Sequence, residues 1–241
     1  MKKILIFSFV FLFACGQAFA GSLTIGLFDL SGSVLTDNSG SKGKDSPYSK
    51  NMAALEKDIT KLGKGDSVIV IGFGRKSDVT LLKATMPKQA GPMNRNLIAT
   101  REAAIKKLKE NITAKAASID NTRTDVIGGI YRASRIFEET LDISEKRLVI
   151  YSDLLDNENV GLSFNRLKKA GSHKEFLRKL DGRKTGYLNL KNVEVDLFSM
   201  FSDIKGINTV ETEIAIKELK AFWTEYFKRS GTNVKSFKTS Y

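Results

Sequence analysis

The stretch that decides the fold reads Leu23-Thr24-Ile25-Gly26-Leu27-Phe28-Asp29-Leu30-Ser31-Gly32-Ser33. Residues 23–28 form an apolar run that predicts a buried strand, and the Ser, Gly and Ser that follow favour a tight turn. The turn gathers the Asp29 carboxylate and the hydroxyls of Ser31 and Ser33 around one point. Oxygen ligands without His or Cys favour Mg²⁺ or Mn²⁺ over zinc. Taken alone, however, D-x-S-x-S is a weak pattern that a solvated turn explains more simply.

Two further segments carry matching oxygen groups. Asp153 follows the apolar run 148–151, which puts a second carboxylate at the carboxyl end of a predicted strand, where open α/β sheets bind ligands. Earlier in the chain, a polar loop that contains Thr124 leads into an apolar-periodic helix candidate beginning at Val126. We therefore expect three oxygen-bearing loops to meet at one edge of a sheet.

This combination resembles, in order and intervals, the metal-ion-dependent adhesion site of von Willebrand factor A (vWA) domains. The resemblance covers nearly all of the chain beyond residue 22. It implies that Ser31 and Ser33 ligate Mg²⁺ (or Mn²⁺) directly, and that Thr124 does so in the ligand-bound state. Asp29 and Asp153 would then act largely through bound water. In that family an acidic side chain of a protein partner commonly completes the coordination sphere, so the implied site is a docking point without a reaction of its own.

The chain departs from the family pattern at two positions. Leu154 follows Asp153 where many vWA domains have Gly, and Thr122 lies close enough to Thr124 to compete for the threonine assignment. Thr124 also has a purely structural interpretation as the N-cap of the next helix, and the two roles can coexist.

Residues 1–20 have the features of a signal peptide. Lys2 and Lys3 precede an apolar stretch, 4–13, that is shorter than the roughly 20 residues of a membrane-spanning helix. The small-x-small sequence that ends at Ala20 predicts cleavage there, and hence a periplasmic or secreted protein. Cys15, the only cysteine, offers a second interpretation as a lipoprotein attachment site. Cleavage after Ala20 would leave no cysteine and therefore no disulfide.

Residues 21–241 are predicted to form a single vWA-like domain, since no low-complexity linker or repeat interrupts them. Strand and helix patterns alternate, which predicts a mostly parallel sheet with right-handed crossovers. The resemblance sharpens this to an α/β, doubly wound, mostly parallel sheet with one short antiparallel strand and helices on both faces. The predicted strands are 23–28, 67–73, 79–84 (returning as a hairpin), 148–151, 193–200 and 234–237. The predicted helices lie around 52–62, 98–112 and 126–141, in a short segment opened by a Ser172–Glu175 capping box, and in a long segment from Asn208 whose aromatic stripe suits the core.

The chain is strongly basic. Its formal net charge is +12, and loss of Lys2 and Lys3 with no acidic residue lowers this by two, to +10. We expect attraction to an acidic protein partner or, peripherally, to an anionic envelope surface. The lysines are spread over helices and loops without a compact binding motif, so a solvated surface is favoured over nucleic-acid binding. Lys42, Lys44 and Lys50 lie near the metal loop in sequence and could steer an acidic ligand toward it. In isolation we expect the protein to be a monomer.

Enzymatic interpretations are weaker. The sole histidine, His173, lies between polar residues and suits the surface of a helix better than a catalytic triad. Phosphoryl-transfer enzymes also place Asp after a first strand, but Ser31 stands where their second Asp is commonly found. We therefore predict no catalytic residues. A metal-independent structural accessory of an envelope secretion or conjugation assembly is the main alternative.

Overall fold

The computed structural model describes residues 21–32, 46–75, 78–115, 118–183, 186–200 and 209–240. The strands are β1 (Leu23–Asp29), β2 (Ser67–Phe73), β3 (Asp78–Thr85), β4 (Lys146–Ser152), β5 (Val193–Met200) and β6 (Val234–Ser240). The helices are α1 (Pro47–Thr60), α2 (Arg95–Lys115), α3 (Val126–Glu139), α4 (Phe164–Leu167), α5 (His173–Asp181) and α6 (Thr209–Arg229), and a 3₁₀ turn, Pro92–Asn94, precedes α2.

The six strands form one sheet in the order β3-β2-β1-β4-β5-β6. Every neighbouring pair is parallel except β2 and β3, which form the predicted antiparallel hairpin. The chain winds from β1 toward β3 on one side and from β4 toward β6 on the other, so the strand order reverses between β1 and β4. The carboxyl ends of β1 and β4 lie at that reversal, which is where doubly wound sheets bind ligands.

Helices cover both faces of the sheet. Neighbouring residues of β1 point to opposite faces, so each face has its own buried cluster. Leu27 belongs to a buried cluster with Ile130 of α3 and Trp223 of α6. Phe28 belongs to a second cluster with Leu55 of α1 and with buried residues of α2. The predicted fold class is therefore confirmed.

The aromatic stripe of α6 lies in the core, as predicted. Phe222, Trp223, Tyr226 and Phe227 are fully buried and meet one another at ring-centre distances of 5.0 to 6.2 Å. Burial of these rings fixes α6 against the sheet.

The predicted capping box of α5 is wrong, although the helix is present. The Ser172 side chain makes no capping hydrogen bond. Glu218 of α6 takes that place: its carboxylate accepts the backbone N–H groups of Gly171 (2.9 Å) and His173 (3.1 Å). The start of α5 is therefore capped by a residue that is distant in sequence, whereas the S-x-x-E pattern predicted capping by its own Ser172.

One edge of the sheet is protected by α2. The register of β3 against β2 slips at Leu81, which forms a bulge. The Asn111 side-chain amide donates to the Leu81 carbonyl (2.7 Å), and the Lys115 ammonium donates to the Thr80 carbonyl (2.9 Å). Two carbonyls of the edge strand are thereby satisfied by side chains.

Within the described ranges, the structure contains no helix that is both long enough and apolar enough to traverse a lipid bilayer. The predicted signal peptide, 1–20, and Cys15 lie outside those ranges.

Candidate metal centre

Asp29 is the last residue of β1 and is fully buried. Its Oδ1 accepts the backbone N–H of Ser31 at 2.8 Å, the local bond with which an Asp at a strand end starts a turn. Its Oδ2 accepts the hydroxyl of Ser152, the last residue of β4, at 2.5 Å. Asp29 therefore ties the first loop to the end of the neighbouring strand.

Asp153 follows β4 and is almost as deeply buried, with 6% of its surface exposed. Its Oδ1 accepts the N–H of Leu155 at 2.9 Å in a second turn of the same kind. Burial, together with the negative charge of Asp153, raises the pKa of Asp29 to about 7, against the lowering effect of its bonds to Ser152 and Ser31. Two carboxyl groups thus face each other in a poorly hydrated place.

Thr124 is 2% exposed and lies in the third loop. Its interpretation as a helix cap is wrong, because Asp125 is the N-cap of α3 and accepts the N–H of Gly128 at 2.6 Å. The competing Thr122 is exposed, and its hydroxyl donates to the Asp120 carboxylate at 2.5 Å. Burial and the occupied hydroxyl of Thr122 therefore favour Thr124 as the threonine of the candidate site.

Hydrogen bonds connect the loops pairwise. The N–H of Gly32 donates to the Asn121 carbonyl at 2.8 Å, which joins the first loop to the loop of Thr124. The Thr124 carbonyl accepts the N–H groups of Asn157 (3.1 Å) and Glu158 (3.2 Å), which join that loop to the segment after Asp153. Asp29, Ser31, Thr124 and Asp153 are thereby held at one edge of the sheet. Ser33 lies outside the described residues.

The donor set fits a hard divalent cation. In the part of the chain that the structure describes, no three or more His, Cys, Asp or Glu side chains are grouped for metal binding. The candidate centre therefore depends on two carboxylates supplemented by hydroxyl oxygens, which suits Mg²⁺ or Mn²⁺ and does not suit zinc. A cation between Asp29 and Asp153 would also relieve the repulsion that raises the pKa of Asp29.

Leu154, which departs from the resembled pattern, occupies a turn that glycine adopts more easily. Its backbone adopts a left-handed conformation with φ +63°, which is uncommon for residues with a side chain. The side chain is fully buried, and the carbonyl accepts the indole N–H of Trp223 at 3.0 Å. Packing and this hydrogen bond stabilise the unusual turn that places Asp153.

The sequence analysis missed a buried carboxylate, Asp156. It accepts the N–H groups of Ile127 (2.9 Å) and Asn159 (2.8 Å), and the side-chain amide of Asn159 donates to it at 3.1 Å. Burial raises its pKa to about 6, although these bonds oppose the rise. Asp156 therefore joins the loop after β4 to the first turn of α3. Only its spacing of three residues from Asp153 hints at this role.

Among the described residues, two arginines form ion pairs beside the site, where the sequence analysis emphasised lysines. Glu158 contacts Arg75 (Nε to Oε2, 3.3 Å) and Arg123 (Nη1 to Oε2, 3.5 Å). Arg75 also lies 3.9 Å from Asp120, so two cations meet two carboxylates in this cluster. Lys42 and Lys44 lie outside the described residues, whereas Lys50 is part of α1.

No protein-family model matches the sequence, and no curated protein matches it. Among solved structures, it is similar to the conserved hypothetical protein BatB from Bacteroides thetaiotaomicron, at 14% identity and a TM-score of 0.46 over 91% of this chain and 90% of that one. It is also similar to a von Willebrand factor type A structure from Catenulispora acidiphila, at 14% identity and a TM-score of 0.43 over 86% of this chain and 43% of that one. A third similar structure is the PilB minor pilin from Streptococcus sanguinis, at 12% identity and a TM-score of 0.48 over 92% of this chain and 57% of that one.

The order β3-β2-β1-β4-β5-β6 with one antiparallel pair is the architecture that the motif resemblance implied. The strand order, the single antiparallel strand and the loops of Asp29, Thr124 and Asp153 at one edge together give this chain a vWA-like fold.

Proposed function

We propose that this protein is an exported, divalent-metal-dependent binding module that docks an acidic residue of a protein partner. The observation that carries the proposal is the pairwise linkage of the three loops, which holds Asp29, Ser31, Thr124 and Asp153 at the reversal in strand order. Four oxygen-bearing side chains from separate parts of the sequence are buried together there.

Ser31, Ser33 and Thr124 would hold Mg²⁺ (or Mn²⁺) through their hydroxyl oxygens, with Asp29 and Asp153 acting through water. A bound cation supplies positive charge and a coordination position that a partner carboxylate can fill. Asp29 accepts bonds from Ser31 and Ser152, which fix its orientation before any ligand arrives. Pre-positioned ligands of this kind lower the entropic cost of docking.

Export is the part of the proposal that depends on the sequence alone. The basic n-region, the short apolar stretch and the site after Ala20 support a cleaved signal peptide, with lipidation of Cys15 as the alternative. The intact mass of the protein purified from the envelope fraction distinguishes a chain that begins at Gly21 from one that begins at a lipidated Cys15. A mass that retains residues 1–20 would contradict both.

Metal binding is tested by calorimetry with Mg²⁺ and Mn²⁺. Asp29→Ala and Asp153→Ala should abolish binding, since each removes one of the two negative charges that attract the cation. Thr124→Ala should weaken it, whereas the matched control Thr122→Ala should not, because the Thr122 hydroxyl is bonded to Asp120. Unchanged binding in both aspartate variants would overturn the site assignment.

Partner docking is tested by a pull-down from the envelope fraction with Mg²⁺ and again with chelator. Metal-bridged docking is supported if the wild type retains a partner only with Mg²⁺ and the double variant Ser31→Ala, Ser33→Ala does not retain it. Its affinity should also fall moderately with salt. Equal retention under all conditions would refute the mechanism.

That second outcome would favour the metal-independent alternative, a structural accessory of an envelope secretion or conjugation assembly. One observation speaks for it: both carboxylate oxygens of Asp29 already accept hydrogen bonds from protein donors. In that case Asp29 would serve to join β1 to β4.

A further inference from the structure

An open groove runs between α5 and α6, with a volume of ≈ 670 Å³. Its two walls are fixed to each other. Phe176 of α5 meets Phe222 of α6 edge to face at 6.4 Å, and Glu218 of α6 holds the start of α5 through its bonds to Gly171 and His173. The His173 Nδ1 lies 2.6 Å from the same carboxylate. None of the groove-lining residues belongs to the candidate metal centre.

Cationic side chains dominate this groove. Lys174 and Arg178 of α5 are exposed and lie four residues apart, hence on one face of the helix. In the described ranges neither has a carboxylate within 4.0 Å of its charged nitrogens. Lys220 of α6 lies across the groove, with its ammonium 5.3 Å from the ring centre of Phe237.

The acidic residues of the groove do not neutralise these three cations. Asp181 and Glu225 both pair with Arg229, at 2.6 and 2.7 Å. The hydroxyl of Tyr187 also accepts a hydrogen bond from Arg229, at 2.9 Å. Four cationic side chains, Lys174, Arg178, Lys220 and Arg229, thus face two carboxylates, which leaves the groove with a net charge of +2. The two carboxylates are held at Arg229, so Lys174, Arg178 and Lys220 can pair with a ligand.

Between the cations lie Ala221, which is half-buried, and the edge of Leu177, which is 3% exposed. We propose that this groove binds an acidic peptide segment of a partner protein, whose carboxylates pair with Lys174, Arg178 and Lys220 and whose apolar side chain packs on Leu177 and Ala221. A nucleic acid would satisfy the cations but has no aliphatic side chain for this floor. The net charge, +12 for the full chain and +10 after the predicted cleavage, adds long-range attraction for an acidic partner.

The test uses the purified full chain with chelator present, so that the metal centre does not contribute. The probe is a fluorescein-labelled peptide in which glutamate and leucine alternate, followed by fluorescence anisotropy. Lys174→Gln combined with Arg178→Gln should weaken binding about tenfold, or about 1.4 kcal/mol at 25 °C. Thr224→Glu adds a carboxylate at an exposed position of the α6 wall and should weaken binding similarly. The matched control, Lys106→Gln with Lys107→Gln, removes the same charge from the exposed side of α2 and should change affinity by less than about twofold.

Three results would overturn the proposal: equal affinity in the groove and control variants, equal binding of a probe with glutamine in place of glutamate, or tighter binding of single-stranded DNA than of the peptide with the same loss in the groove variants. Because chelator is present throughout, these results leave the metal-dependent function untouched. Conversely, failure of the calorimetric test leaves the groove untouched.

Discussion

In the metal-free protein, the free energy of unfolding of the variant Asp29→Asn should depend on pH less steeply than that of the wild type. In the folded chain, burial and the charge of Asp153 raise the pKa of Asp29 from 3.8 to about 7. A carboxyl group with a raised pKa holds its proton more tightly when folded than when unfolded. Its stabilising effect is therefore complete below about pH 4 and is lost as the pH rises to about 7.

The size of the effect follows from the same two values. Each unit of difference between the folded and unfolded pKa of Asp29 corresponds to about 1.4 kcal/mol, so the free energy of unfolding changes by at most about 4 kcal/mol. We expect about 2 to 4 kcal/mol, because Asp153 can relax away from Asp29. Asparagine cannot ionise and should escape this loss. It should, however, cost about 1 kcal/mol at acidic pH, because the amide has one acceptor oxygen where Asp29 accepts from both Ser31 and Ser152.

Urea unfolding in chelator, followed by the fluorescence of the single tryptophan, Trp223, measures both proteins. At about pH 4 the variant Asp29→Asn should be slightly less stable than the wild type, and at about pH 8 it should be more stable. The contribution of Asp156, whose pKa is raised to about 6, has the same sign but cancels in the comparison. Mg²⁺ at about pH 8 should stabilise only the wild type. A variant that is less stable than the wild type at both pH values would refute the reasoning.

Three other substitutions test the fold around the site. Leu154→Gly relieves about 1 kcal/mol of left-handed backbone strain but removes a buried side chain worth about 2 to 5 kcal/mol. Urea unfolding should therefore show that the free energy of unfolding falls by about 1 to 4 kcal/mol. Glu218→Ala leaves two N–H groups at the start of α5 without their acceptor and should cost about 1 to 3 kcal/mol, with faster hydrogen exchange there. Gly72→Ala puts a methyl group 2.8 Å from the side chains of Leu30 and Leu81, and thermal unfolding should reveal a loss of about 1 to 3 kcal/mol.

Each of these has a contrary result. Stabilisation by Leu154→Gly would mean that packing at this position is worth less than the strain. Unchanged exchange at the start of α5 in Glu218→Ala would remove its capping role. An unaffected Gly72→Ala protein would show that the side chains of Leu30 and Leu81 move aside easily.

Local patterns were enough to predict the strands and their arrangement, because the apolar runs of β1, β2, β4 and β5 are short, continuous and separated by helical periodicity. The alignment of Asp29 and Asp153 at one edge followed from parallel pairing alone. Contacts between distant segments were beyond such reasoning. Glu218 and Asp156 cap helices from 45 and 29 residues away along the chain. The neighbouring residues of Glu218 give no sign of that role, and those of Asp156 offer only its spacing from Asp153.

The side chains of Asn111 and Lys115 on the β3 carbonyls have a consequence for behaviour at high concentration. An edge strand with free carbonyl and amide groups is a template onto which a strand from another molecule can add, and such additions lead to aggregation. Here the bulge at Leu81 interrupts the regular ladder, and α2 occupies two of its acceptors. Removing both side chains by Asn111→Ala and Lys115→Ala would reopen this edge while leaving the opposite face of the sheet intact. The doubly substituted protein should therefore form higher-order species by light scattering at concentrations where the parent stays dispersed.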